Sequence, residues 1–93
     1  MERRFNTKEE ESQLLLEQEQ NENQLVLHND EVNTFDWVIE SLIKVCNHDK
    51  LQAEQCSLIV HHQGKCAVKD GPFDDLRPMK NALLDRGLSA TIE

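Results

Sequence analysis

A short apolar run, Leu25-Val26-Leu27, is followed by His28-Asn29-Asp30-Glu31, which places an amide oxygen and two carboxylates at the end of an expected buried strand. Amide and carboxylate oxygens are hydrogen-bond acceptors, and converging acceptors with negative charge bind cations. Further along, Val60-His61-His62-Gln63-Gly64-Lys65 puts two imidazoles just before a glycine suited to end a helix. Each segment alone has an ordinary structural use. Asn29 and Asp30 can satisfy turn amides, and a histidine at a helix C-terminus meets the negative end of the dipole. The occurrence of both in one short chain favours a binding role.

Other chemistries find less support. Four histidines (His28, His48, His61, His62) and three cysteines (Cys46, Cys56, Cys66) invite a metal, but no pair at zinc-ligand spacing is followed by a second pair. His61 and His62 are adjacent, so on a helix their side chains diverge by roughly 100° and do not easily share an ion. The cysteines stand ten residues apart without a Cys-x-x-Cys pair, and on apolar faces a free cysteine packs as a small hydrophobe. None of Ser12, Ser41, Ser57 and Ser89 lies in a Gly-x-Ser-x-Gly turn, and three glycines cannot supply a phosphate-cradling loop. No catalytic residue, metal site or cofactor is expected.

The elements that must position these side chains follow from periodicity. After the strand at Leu25–Leu27, Asn33 is placed to cap a helix over residues 34–47, with Asp36 as capping-box partner and Phe35, Val38, Ile39, Leu42 and Cys46 sharing a face. Asp49 and Gln52 repeat the capping spacing for a second helix over 50–63, which Gly64 stops. Lys65-Cys66-Ala67-Val68 reads as a second strand closed by Asp70-Gly71-Pro72. Leu76, Met79, Leu83 and Leu84 share the face of a third helix with Gly87 just past its end; Pro78 is tolerated if Asp74 or Asp75 caps it. Leu88–Ile92 alternates as a third strand. The order β-α-α-β-α-β predicts an α+β sandwich, a three-stranded sheet with three helices packed on one face.

Composition bounds the rest. The chain has 93 residues, 18 Asp+Glu against 10 Lys+Arg, and a net charge of −8, which disfavours nucleic acid and anionic membrane surfaces as partners. No apolar run approaches the roughly 20 residues that span a bilayer, and the thiols read as reduced in a cytoplasm. The first 24 residues hold seven Glu against Arg3, Arg4 and Lys8, with one apolar cluster, Leu14-Leu15-Leu16. That is too little to offset the entropy of ordering them. Residues 1–23 are therefore expected to form a disordered acidic arm and 24–93 one folded domain, with nothing that demands more than a monomer.

The segment Leu25-Val26-Leu27-His28-Asn29-Asp30-Glu31-Val32-Asn33-Thr34-Phe35-Asp36-Trp37-Val38, then Val60-His61-His62-Gln63-Gly64-Lys65 and the closing Ser89-Ala90-Thr91-Ile92-Glu93, resembles the ClpS family of Clp-protease adaptors. In that family apolar residues precede Asn-Asp-Asp, a Thr-Pro-x-Glu helix start follows, and Val-His-x-x-Gly-Lys comes later. The resemblance runs over residues 24–93. It implies a non-catalytic ClpS-like adaptor domain that binds proteins bearing a destabilising N-terminal Leu, Phe, Tyr or Trp. Such adaptors dock on the N-terminal domain of a ClpA- or ClpC-type AAA+ unfoldase and pass the bound protein to ClpP for degradation. It also implies a use for the arm in delivery, while the arm's acidity and its Gln and Asn content fit a passive solubilising tail equally well.

By the same resemblance, Asn29, Asp30, Glu31 and His61 are the group that holds the substrate α-ammonium, Glu31 directly or through water. Leu27, Asn33, Phe35, Val38, Ser57, Val60 and Leu88 fall at the positions of the hydrophobic pocket. Acceptance by His61 requires a neutral ring, so peptide affinity is expected to fall below about pH 6.5, the ordinary imidazole value. The chain departs from the family pattern in Glu31 for Asp, in Asn33-Thr34-Phe35-Asp36 for Thr-Pro-Met-Glu, and in Ser57 for a common Met. Its Lys65–Gly87 stretch is also shorter and lacks the family's middle motif. Two other functions compete: a regulator that docks on the unfoldase without binding N-terminal residues, and a small metal-dependent enzyme using His28, His61 and a cysteine.

Overall fold

The computed structural model describes residues 23–93, so most of the expected acidic arm, including Leu14–Leu16, lies outside the described residues. The elements run β1 (Asn23–His28), α1 (Phe35–Cys46), α2 (Lys50–Gln63), β2 (Lys65–Gly71), α3 (Phe73–Asp85) and β3 (Ser89–Ile92). The sheet is antiparallel in the order β2-β1-β3, and the three helices pack on one face. Alternation along β1 sends Leu25 and Leu27 into the core with Val68, Leu42, Cys46, Ala53, Leu76 and Leu83.

Local chemistry accounts for most boundaries. Asp49 caps α2 by accepting the Gln52 N–H at 2.7 Å, and Gly64 ends that helix at φ +92°, where a side chain would be strained. Beyond α3, the Gly87 N–H bonds to the Leu84 carbonyl at 2.9 Å and the Leu88 N–H to the Leu83 carbonyl at 3.0 Å, with Gly87 at φ +83°. This is a Schellman closure, and it turns Leu88 inward against Leu83.

Two capping expectations are corrected. The α1 cap is Thr34, whose hydroxyl accepts the Trp37 N–H at 3.2 Å; Asn33 is drawn away into a network described below. The α3 cap position is Pro72, without a side-chain bond, and neither Asp74 nor Asp75 caps it. Both aspartates lie in the first turn, near the positive end of the dipole. Pro78 lies inside the helix, in its second turn, where the ring withholds one backbone hydrogen bond.

A β-bulge interrupts β1–β2. Leu25 faces Lys69 and Val26 faces Ala67, which leaves Val68 as the extra residue. The Val68 carbonyl is met by His48 Nε2 at 2.6 Å. Because a carbonyl only accepts, Nε2 carries the proton, and the buried Nδ1 has no partner.

Candidate functional site

The acceptor turn after β1 and the end of α2 are joined by one backbone bond: the Asn29 N–H donates to the Gly64 carbonyl at 2.9 Å. Gly64 follows the last turn of α2, which carries His61, so two segments far apart in the chain share one rim. The Asn29 side chain and the His61 ring make no hydrogen bond among the described residues, so the Asn29 amide oxygen and, in a neutral ring, one His61 nitrogen stand open as acceptors. The Phe35 ring lies 5.2 Å from the His61 ring, tilted by 59°, and is 43% exposed. It therefore forms the rim, although its spacing places it on the core stripe of α1.

Behind the rim is a cavity of about 60 Å³, room for about four to six waters. Leu27 from β1, Val38 from α1, Val60 from α2 and Leu88 from the α3–β3 turn make its apolar walls; Asn33 and Ser57 add polar atoms, and Asn29, Asp30, Phe35 and His61 complete it. All the residues expected at the site from the sequence line this cavity except Glu31. Asp30 explains the exception: its Oδ1 accepts the N–H groups of Val32 at 3.0 Å and Asn33 at 2.8 Å. The turn curls about that carboxylate, and Glu31 is left exposed to solvent.

One lining residue was absent from the sequence-based set. His28 borders the cavity, its Nε2 2.8 Å from Thr91 Oγ1 on β3. Its place between Leu27 and Asn29 was the available signal. Contrary to the expected divergence, the His61 and His62 rings meet edge-on at 5.1 Å. Among the described residues no group of three or more His, Cys, Asp or Glu is arranged to hold a metal ion.

Two clamps hold the far wall. Asn33 Nδ2 donates to Asp30 Oδ2 at 2.8 Å and to the Gly87 carbonyl at 2.9 Å, so the acceptor turn and the Leu88 turn are braced together. Next to this, Trp37 Nε1 donates to the Arg86 carbonyl at 2.9 Å, and the Arg86 guanidinium lies 4.2 Å over the Trp37 ring. Arg86 Nε also donates to Ser41 Oγ at 2.8 Å. Partial burial works to raise the Asp30 pKa, but the bonds from the Asn33 N–H, the Asn33 side chain and the Val32 N–H outweigh it and hold the carboxyl below its ordinary value. A fixed negative charge thus sits beside the two open acceptors.

Fold and site together define a small α+β binding domain with an acceptor-lined mouth and an apolar interior. A family model described as "ATP-dependent Clp protease adaptor protein ClpS" matches residues 18–91, and the chain belongs to that family. Its members are adaptors of the Clp protease, and this chain is a Clp adaptor domain. Agrobacterium tumefaciens ClpS2, solved bound to L-phenylalaninamide, is similar in structure with a TM-score of 0.68 at 18% identity, over 80% of this chain and 96% of that one. That likeness shows the shared fold. No curated protein sequence is a significant match to the chain. Among the described residues no helix is long and apolar enough to cross a membrane.

Proposed function

We propose that this chain binds proteins carrying a bulky hydrophobic N-terminal residue and delivers them to a Clp AAA+ unfoldase, of ClpA or ClpC type, for degradation by ClpP. It does so as a cytoplasmic monomer without catalysing a reaction. The observation that carries this reading is the convergence of Asn29 and His61, with unused acceptors, on the rim of an apolar cavity beside the Asp30 carboxylate. A free α-ammonium presents three N–H donors and a positive charge, and a chain terminus is the place where such a group and a side chain enter a site together. The bound phenylalanine amide of the Agrobacterium relative, a free amine next to a large apolar side chain, has the same chemistry. Burial of a Leu or Phe side chain in the cavity contributes about 1.5–3 kcal/mol.

The test is binding of fluorescent peptides that differ only in a first residue of Leu, Phe, Tyr, Trp or Ala, each with a free or an acetylated amine. Free apolar termini should bind, acetylation should abolish binding, and Asn29→Ala and His61→Ala should each weaken it. Absence of binding by every free apolar terminus overturns the proposal and leaves a domain that acts only by docking on the unfoldase.

A further inference from the structure

Ser57 is a buried wall residue of the cavity. It is 3% exposed and lies one helical turn from His61 on the same side of α2. Phe35, His61 and Ser57 line the same cavity, so a side chain that fills it from the Phe35–His61 rim has Ser57 among its walls. The Ser57 hydroxyl donates its only proton to the Ala53 carbonyl at 2.8 Å, which leaves its oxygen as an acceptor. Asn33 is in the same state, because both Nδ2 protons are engaged by Asp30 and Gly87 and only Oδ1 remains. The polar atoms these two side chains offer to the cavity, beside the apolar walls of Leu27, Val38, Val60 and Leu88, are therefore acceptors without a donor.

Resting on the N-terminal-residue reading above, we propose that Ser57 is a specificity-determining residue whose hydroxyl oxygen accepts the phenolic O–H of an N-terminal tyrosine, so that the pocket ranks tyrosine above phenylalanine. The two side chains differ by one hydroxyl. In a purely apolar pocket that hydroxyl loses its water partners and finds none in exchange, and phenylalanine wins. With an acceptor already in place on buried Ser57, the hydroxyl is satisfied and the order reverses. A Met thioether at this position would be only a weak acceptor. The small serine also leaves the cavity deeper than a longer side chain would, which gives the para position of a ring room to reach Oγ. One neutral hydrogen bond corresponds to about a three- to tenfold preference.

The experiment is fluorescence anisotropy on the full chain and on Ser57→Ala, with peptides that begin with Tyr, Phe or 4-methylphenylalanine; the last fills the space of tyrosine without a donor. Tyrosine should bind the native protein about three- to tenfold more tightly than either of the others. In Ser57→Ala that preference should vanish through weaker tyrosine binding, while the phenylalanine peptide still binds and shows the pocket intact. Phenylalanine equal to or tighter than tyrosine in the native protein, or a tyrosine preference that survives in Ser57→Ala, overturns the role of Ser57 and leaves the adaptor reading standing. If all three free-amine peptides bind no better than one beginning with Ala, the adaptor reading itself fails and this inference with it.

Discussion

Replacing Asn33 by Ala tests whether the acceptor turn and the far wall of the cavity form one mechanical unit. The substitution removes two hydrogen bonds, one at 2.8 Å to the Asp30 carboxylate and one at 2.9 Å to the Gly87 carbonyl. A bond to a charged partner contributes about 1.5–3 kcal/mol and a neutral one about 0.5–1.5. Asn33 is only half-buried, so water replaces part of what is lost, and a net destabilisation of about 1–2 kcal/mol is expected. With a slope near 1 kcal/mol per molar urea for a domain of this size, the unfolding midpoint should fall by about 1–2 M. Thr34→Ala, which removes the helix cap, should cost a similar amount, about 1 kcal/mol, so stability alone does not separate the two roles. Amide chemical shifts do: Asn33→Ala should displace the Gly87 and Leu88 amides, whereas Thr34→Ala should affect the start of α1 and spare them. Asn33→Asp should be worse than Ala at neutral pH, because it sets a second carboxylate against Asp30. An unchanged urea midpoint, or Gly87 and Leu88 amides that do not move in Asn33→Ala, would refute the brace.

Three further outcomes are expected. His48→Ala should destabilise the domain by about 2–4 kcal/mol, since it orphans the bulged Val68 carbonyl and opens a void at a side chain that is 4% exposed; a urea midpoint within error of the native one would contradict this. Because the folded pKa of Asp30 lies below its unfolded value, its contribution to stability is complete above the unfolded carboxylate value of about 4 and disappears as pH falls through the lower folded value. The stability gap between native protein and Asp30→Asn, followed by urea midpoints from pH 6 to pH 2, should therefore narrow on the acid side, and a gap that widens there would reverse the assignment. Burial pushes the Cys46 thiol up to about 11, and burial together with the neighbouring Cys66 and Cys46 thiols pushes Cys56 up to about 12. Both should react slowly with iodoacetamide at pH 8 in the native protein and rapidly in urea, as mass spectrometry of quenched samples can show.

The order of elements was legible because each is written in short-range terms. The apolar stripe of α1, the Asp49 cap, and the stops at Gly64 and Gly87 depend on residues within a few positions of each other, and local sterics enforce them. The same holds for Asn29 and Asp30, whose short polar side chains after a buried strand favour a turn. The resemblance supplied the membership of the cavity, which no spacing rule reveals.

What only the tertiary structure decided involves partners distant in the chain. Asn33 and Thr34 are both able to cap α1; the choice fell to Thr34 because Gly87, 54 residues away, offers a carbonyl that Asn33 reaches across the fold. Glu31 is as acidic as Asp30, yet the Asp30 carboxylate gathers the turn amides and leaves Glu31 exposed in solvent. Phe35 belongs by spacing to the core face of its helix, but the end of α2 packs beside it and turns that position into a rim. The bulge at Val68 and the His48 Nε2 bond to its carbonyl join residues 20 positions apart, where the α1–α2 connection meets β2. Periodicity and capping determine which elements form, because their energies are local; which polar groups remain unused at the mouth of the cavity is determined by hydrogen bonds that exist only once the sheet and helices have closed around it.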